Sequence, residues 1–574
     1  MNKRIFIGQA LPYANGSLHL GHAAAFIPAD ILARYHRLNG DDVLFVSGSD
    51  CYGTPIAVEA SERGIQPSEI ADKYHAEFQQ NLVDGLGFSY DIYTSTTTDL
   101  HAATVQKLFL NLHEKGILYT KTEKALYSPL LQRFLPDRFV EGTCPKCGYD
   151  GARGDQCDNC GTLLDPLELK DPRINPKILK RRGELSDEER SLEVRDSEHF
   201  YLRLTALQKS LEDWVEERSG TWRLNASGFA KGFLKQGLLD RAITRDTDWG
   251  VKIPLTGYES KRIYVWFEAV VGYLSASKQW AEEHGEADAW EKWWLNDEAV
   301  HYYVHGKDNI PFHTIIWPAL LLAEGTLNTP NHIVSSEYLN LEGKQFSKSR
   351  GWAVWLPEFL EAFEPETLRY FLVANGPENS DANFSWAEYA QRVNGELIGT
   401  FGNLVNRVLS FSEKKFPDGL RFPDTLDTES NALLADARDA FPKVGKLIEE
   451  SKFRAAFRVV LEVAEHGNRY ISTKAPWAKI KDQEKCGEVE ADLAVLIHVI
   501  RTLALLVNPF LPRTSEKVYG FLGLDIKGNR WEYPAPEEIY VISKAEPLYR
   551  RVEDEQVERQ LAKLGTPADK GDVV

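Results

Sequence analysis

The residues best placed to do chemistry begin at His19-Leu20-Gly21-His22, which follows the turn-rich run Ala10-Leu11-Pro12-Tyr13-Ala14-Asn15-Gly16. Two imidazoles flanking a glycine can donate hydrogen bonds to a phosphate as its charge develops. Gly21 would let a bulky ligand approach the backbone. One histidine at a helix start is unremarkable. A pair around a glycine, after a Pro-Tyr-x-Asn-Gly turn, favours function. Farther along, Cys144-Pro-Lys-Cys147 and Cys157-Asp-Asn-Cys160 form two close C-x-x-C pairs. Such pairs favour a Zn²⁺ held tetrahedrally by four thiolates, with no open position and hence a structural role. A redox dithiol is the poorer reading. Gly343 and Gly351 bracket Lys344-Gln345-Phe346-Ser347-Lys348-Ser349-Arg350. That pattern suits a mobile loop, against the alternative of a solvated surface loop.

The elements that must carry these groups can be read from periodicity. Arg4-Ile5-Phe6-Ile7-Gly8 is expected to be a buried parallel strand, and Phe26, Ile27, Ile31, Leu32 and Tyr35 mark a helix closed by Asn39-Gly40. Strand, loop and helix together would leave free backbone N–H groups at the loop's end, suited to phosphate. A second strand, Asp42 to Val46, runs into Ser47-Gly48-Ser49-Asp50. The alternation up to residue 117 predicts a doubly wound parallel α/β sheet, with His19 and Asp50 both beyond strand carboxyl ends. Asp50 could equally be a turn residue before Gly53-Thr54-Pro55. An insertion spans 118–245, with its knuckle at 144–161, and the sheet is expected to resume over 246–325, with Arg262–Tyr273 a strand running into a helix. A linker region at 326–388 carries the glycine-bracketed loop. Over 389–544, Val393, Leu397, Phe401, Leu404 and Val408 form an apolar stripe that predicts a helical bundle. Residues 545–574 read as a charged helix packing back on the catalytic lobe, ending in a frayed tail from Thr566.

With 574 residues, 43% hydrophobic and 26% charged, the chain reads as several ordinary globular domains. A net charge of −18 argues against a protein that coats nucleic acid generally, though a local basic face remains compatible with it. No apolar run is long enough to span a bilayer, so no membrane partner is expected and the cytosol is the expected compartment. Six cysteines are too few for a disulfide scaffold of this size.

His19-Leu20-Gly21-His22 resembles the HIGH signature of class I aminoacyl-tRNA synthetases, and Ala10-Leu11-Pro12-Tyr13-Ala14-Asn15-Gly16 is similar to the methionine-activating family in particular. Gly343 to Gly351 resembles the second class I signature, KMSKS, with Gln345 in place of its first lysine and Phe346 in place of its methionine. Lys344 lies one residue early and its role stays open. The resemblance implies a ligase that joins L-methionine to tRNA(Met), initiator and elongator, through methionyl-adenylate, using ATP with Mg²⁺. It implies catalysis by His19, His22 and Lys348, and ATP contacts from His19, Gly21, His22, Gly306, Asp308, Ser347, Lys348 and Ser349. The methionine pocket it implies comprises Leu11, Tyr13, Asp50, Trp266, Ala269, Val270, Tyr273, Asn309, His313 and Trp317, although aromatic residues at such spacing are often simply core. Asp50 would meet the amino group. Asn403, Arg407 and Trp477 would read the anticodon, stacking and hydrogen-bonding unpaired bases. A single zinc knuckle and no large editing insertion favour methionine over isoleucine, leucine or valine. A cysteine ligase, a small-molecule nucleotidyltransferase and a non-catalytic tRNA-binding protein are the rivals. A monomer is expected.

Overall fold

Apolar runs that end in turn residues build the sheet that organises this chain. Arg4–Gln9 (β1), Asp42–Ser49 (β2), Ile92–Ser95 (β3), Ala299–Gly306 (β4) and His332–Ser336 (β5) form one sheet in the order β5-β4-β1-β2-β3. All of its pairings are parallel. The structure is a computed structural model and describes residues 2–154, 157, 159–160, 162, 164–180, 186, 191–348 and 350–565. The chain winds outward from β1 to β3 and then returns to the other side of β1 as β4, so the order reverses between β1 and β4. A crevice at such a switch point, beyond the strand carboxyl ends, is where doubly wound sheets bind ligands. The turn after β1 and the Gly306–Asn309 turn after β4 both open there.

Helix α1, Leu20–Leu38, packs on this sheet through a face that is almost wholly buried, and it stops at Asn39 with Gly40 at φ 87°. The strand expected to open the stretch Arg262–Tyr273 is only two residues long. Arg262–Ile263 pairs with Thr244–Arg245 outside the parallel sheet, and a short helix begins at Val265. A brief aromatic and β-branched run looks alike as a strand or as a buried helix, so periodicity could not separate them. Because β5 lies at 332–336, the parallel sheet continues past residue 325.

In the insertion, Leu118–Ser128 and Glu193–Leu202 form a long antiparallel ladder. The cysteines follow Val140–Thr143, the middle strand of a small three-stranded sheet. Beyond residue 393 come the bundle helices Asn403–Lys415 (α2), Thr428–Glu449 (α3), Phe453–Lys474 (α4), Cys486–Val507 (α5) and Pro512–Phe521 (α6). Val393, Leu397, Phe401, Leu404 and Val408 are all buried, as their stripe predicts. The charged C-terminal helix (α7) is Asp554–Leu561, shorter than expected. Its continuation reaches the linker region, where the Gly565 N–H donates to the Gly351 carbonyl at 3.0 Å. The tail from Thr566 lies outside the described residues.

Candidate active site

His19 is the N-cap of α1. Its Nδ1 accepts from the Gly21 N–H at 3.1 Å, and His22 Nδ1 accepts from the His19 N–H at the same distance. The N–H groups of Leu20, His22 and Ala23 are taken by the carbonyls of Val354 and His19. The helix start therefore lacks the free backbone donors expected from the strand-loop-helix pattern. What remains open is the far edge of each ring. With Nδ1 accepting, a neutral imidazole carries its proton on Nε2, as a donor. Burial pushes both imidazoles down, His22 to about 3 and His19 well below its ordinary value, with neighbouring charge on Lys348 helping. Both are neutral donors at physiological pH. Gly21 also has a different reason from the one expected: a methyl there would lie 2.9 Å from the His19 ring, so the glycine clears space for the cap.

The loop after β5 closes over this helix start. Phe346 stacks on His19, with centroids 4.7 Å apart and planes 15° from parallel. The stem of Lys348 is exposed, but its ammonium would lie 3.7 Å from a methyl built on Gly16, and desolvation there lowers its pKa. Ser347 is buried and its backbone pairs with Trp352. Lys344 and Gln345 are exposed. Ser349 lies outside the described residues.

A second cluster lies between the turn after β1 and the end of β2. Tyr13 and Asp50 are bridged through their backbones, and Gly53, at φ 118°, leaves room for the Tyr13 hydroxyl, which a methyl there would meet at 2.4 Å. Asp50 Oδ1, the Tyr13 hydroxyl and Glu268 Oε1 are buried without a hydrogen-bond partner. Buried polar atoms are normally paired, so three unsatisfied oxygens in one region suit a ligand that brings donors. Burial raises the Asp50 pKa well above its ordinary value. Glu268 in turn meets His101 Nε2 at 2.7 Å, while His101 Nδ1 meets Ser275 Oγ at 2.8 Å. Ser275 donates to the Gly272 carbonyl, so His101 must donate from Nδ1 and accept at Nε2 while neutral. Burial lowers His101 to about 3 and raises Glu268, which leaves the proton on the carboxyl.

The adjoining wall is made by Leu11, packed toward Gly272, and Tyr273, which occupies space that only glycine leaves open at position 8. The Tyr273 hydroxyl donates to His313 Nε2 at 2.7 Å, because His313 Nδ1 is committed to the Asn309 carbonyl at 2.9 Å. Trp266 and Ala269 are half-buried and Val270 is buried, all within one short helical stretch. Trp317 is fully buried, and its indole N–H donates to the Tyr303 hydroxyl at 3.0 Å. At the end of β4, Gly306 has ordinary room for a methyl, 3.9 Å from Ala25, so nothing within the protein demands glycine there. Exposed Asp308 accepts a hydrogen bond from the Tyr338 hydroxyl.

Comparison with known proteins places this chain in a family. The model for class I tRNA synthetases of the methionine type matches residues 5–409, and that for the anticodon binding domain of methionyl tRNA ligase matches 423–568. A methionine–tRNA ligase of Dehalococcoides mccartyi (strain CBDB1) is 46% identical over 568 residues, 98% of this chain and 100% of the relative. One from Bacillus cereus (strain B4264) is 46% identical over 562 residues, 98% of this chain and 99% of the relative. This chain belongs to the methionyl-tRNA synthetase family. Its fold is shared with a Mycobacterium tuberculosis methionyl-tRNA synthetase solved in complex with methionyl-adenylate, at TM-score 0.78 and 24% identity, covering 96% of this chain and 100% of that one.

Two further clusters lie outside the catalytic lobe. The Sγ atoms of Cys144, Cys147, Cys157 and Cys160 all lie within 4.8 Å of one another. Cys144 to Cys160 is 3.9 Å and Cys147 to Cys157 is 3.6 Å. Tetrahedral thiolates with Zn–S bonds of about 2.3 Å stand roughly 3.8 Å apart, so the cluster fits a structural zinc. In the bundle, the Arg407 guanidinium sits 4.9 Å over the Trp477 ring, with half-buried Asn403 one turn before Arg407 on α2. Trp477 is 40% exposed and is presented by Ala475, held in the left-handed region at φ 45°.

Sequence reasoning missed Glu268 and His101. The only available signal was a carboxylate inside the apolar run Val265–Tyr273.

Proposed function

We propose that this chain is an ATP-dependent ligase that activates L-methionine as methionyl-adenylate and transfers it to the 3′ adenosine of tRNA(Met), acting as a monomer in the cytosol. The observation that carries the proposal is the convergence of His19, His22 and Lys348 at the helix start, near the unsatisfied Asp50 pocket. Among the described residues, no helix is long and apolar enough to cross a membrane.

In this reading the methionine ammonium takes Asp50 and the Tyr13 hydroxyl. The side chain lies among Leu11, Trp266, Ala269, Val270, Tyr273, Asn309, His313 and Trp317, where a thioether finds favourable ring contacts. The ATP ribose meets Gly306 and Asp308, and the phosphates face Gly21 and Ser347. The methionine carboxylate attacks the α-phosphate and pyrophosphate leaves. The Nε2–H groups of His19 and His22 and the Lys348 ammonium stabilise the phosphate charge as it grows, a task of positioning that needs no protein nucleophile. Mg²⁺, arriving with ATP, would neutralise phosphate charge.

Methionine alone among the standard amino acids is expected to drive pyrophosphate–ATP exchange. Exchange with cysteine instead would overturn the pocket assignment. Trp477→Ala is expected to raise the KM for tRNA by about 5- to 150-fold, the loss of one base stack of about 1–3 kcal/mol, while exchange without tRNA stays unchanged. We assign one structural Zn²⁺ to the four cysteines. Cys157→Ser is expected to reduce bound zinc from about one per chain to near zero, read by elemental analysis, because a hydroxyl does not replace a thiolate at such a site.

A further inference from the structure

Phe346 stands where the KMSKS signature carries methionine, directly after the glutamine that replaces its first lysine. Its contact with His19 is anchored on both sides. On the loop side, Ser347 and Trp352 exchange backbone hydrogen bonds of 2.9 and 3.0 Å, and the Trp352 indole N–H holds the Leu341 carbonyl at 3.1 Å. On the helix side, the Gly21 N–H fixes the His19 ring, which lies 4.0 Å from the His22 ring. Phe346, His19 and His22 thus form a run of three neighbouring rings, with the Lys348 ammonium close by over Gly16.

We propose that Phe346 is a positioning residue for adenylate formation: stacked on His19, it holds the Gly343–Gly351 loop over the start of α1 and sets Lys348 beside the imidazoles before ATP arrives. This rests on the reading of His19 and Lys348 given above. In a loop with glutamine at 345, an uncharged ring supplies closing affinity without needing a phosphate to grip. An aromatic pair contributes a bias of about 3- to 10-fold toward the closed loop. The ring also seals one face of His19 from water and leaves the Nε2 edge as the working side.

The test compares Phe346→Ala, Phe346→Leu and Phe346→Tyr in methionine-dependent pyrophosphate–ATP exchange, with Lys348→Ala in the same assay. Methionine binding, followed by intrinsic fluorescence, reports that each variant is folded. Leucine keeps apolar bulk but cannot stack, and tyrosine keeps the ring. Alanine and leucine are expected to lower kcat/KM for ATP by about 3- to 10-fold with methionine binding retained, and tyrosine to restore it. The pH profile gives a readout that loop packing alone would not move. Burial holds His19 well below its ordinary value, so water admitted by losing the ring raises its pKa. Protonation puts a hydrogen on Nδ1, which can then no longer accept from the Gly21 N–H, so the ring loses its anchor and the acid limb of kcat/KM for ATP moves to higher pH in the alanine and leucine variants only. An unchanged ATP dependence and acid limb in those two, or a tyrosine variant behaving like alanine, overturns the inference when Lys348→Ala abolishes exchange. If Lys348→Ala leaves exchange intact, the reading of the site itself falls.

Discussion

Asp50→Asn is expected to raise the KM for methionine by about 100-fold or more in pyrophosphate–ATP exchange, with the KM for ATP little changed. Removing one partner from a buried charge pair costs about 3 kcal/mol or more, because the other charge is left without compensation. Here the stranded charge would be the methionine ammonium, among groups already buried and unsatisfied in the free protein. The same carboxyl fixes a pH dependence. Asp50 has its pKa raised by burial, so in the empty pocket it keeps a proton to higher pH than an exposed aspartate. Methionine needs the ionised form. The KM for methionine is therefore flat above the raised pKa and climbs as pH falls through it, and binding below that point releases a proton. Asparagine removes this slope. It also removes a buried charge that disfavours the folded state above the ordinary aspartate pKa, so the melting temperature of the methionine-free protein should not fall. A drop in melting temperature with an unchanged KM would reverse the assignment.

Lys348→Ala is expected to lower kcat for adenylate formation by about 10²- to 10³-fold while methionine affinity stays near its original value, the loss typical of one preorganised charge-stabilising group. The physical reason is placement. The ammonium already sits against the loop that carries His19, where desolvation lowers its pKa. Its field is thus strong where phosphate charge grows. Lys344, open as a substitute from sequence, is exposed in the closed loop. Lys344→Ala should change kcat by less than about 3-fold, since an exposed charge acts through a high dielectric. Rapid quench of adenylate formation separates the two lysines. Equal losses would mean that Lys344 swings in when ATP binds.

Two kinds of information are separable in this chain. Local spacing in the sequence determined the parallel strands at 4–9 and 42–49, the α1 boundary at Asn39-Gly40, the four-cysteine cluster and the bundle stripe from Val393 to Val408. Each depends on a short period or a short loop, and backbone geometry converts such patterns directly into structure. Tertiary structure alone decided what those elements face. Only the folded helix start reveals that the first-turn N–H groups are consumed by a cap and that Gly21 serves His19. The short helix at Val265, the proton held between Glu268 and His101, and the Phe346 ring lying on His19 are equally invisible in order of residues. His101 and Glu268 are 167 positions apart and His19 and Phe346 are 327 apart. Whether such distant side chains meet depends on how β1, β4 and β5 stack their loops at the switch point, and packing of the whole sheet decides that.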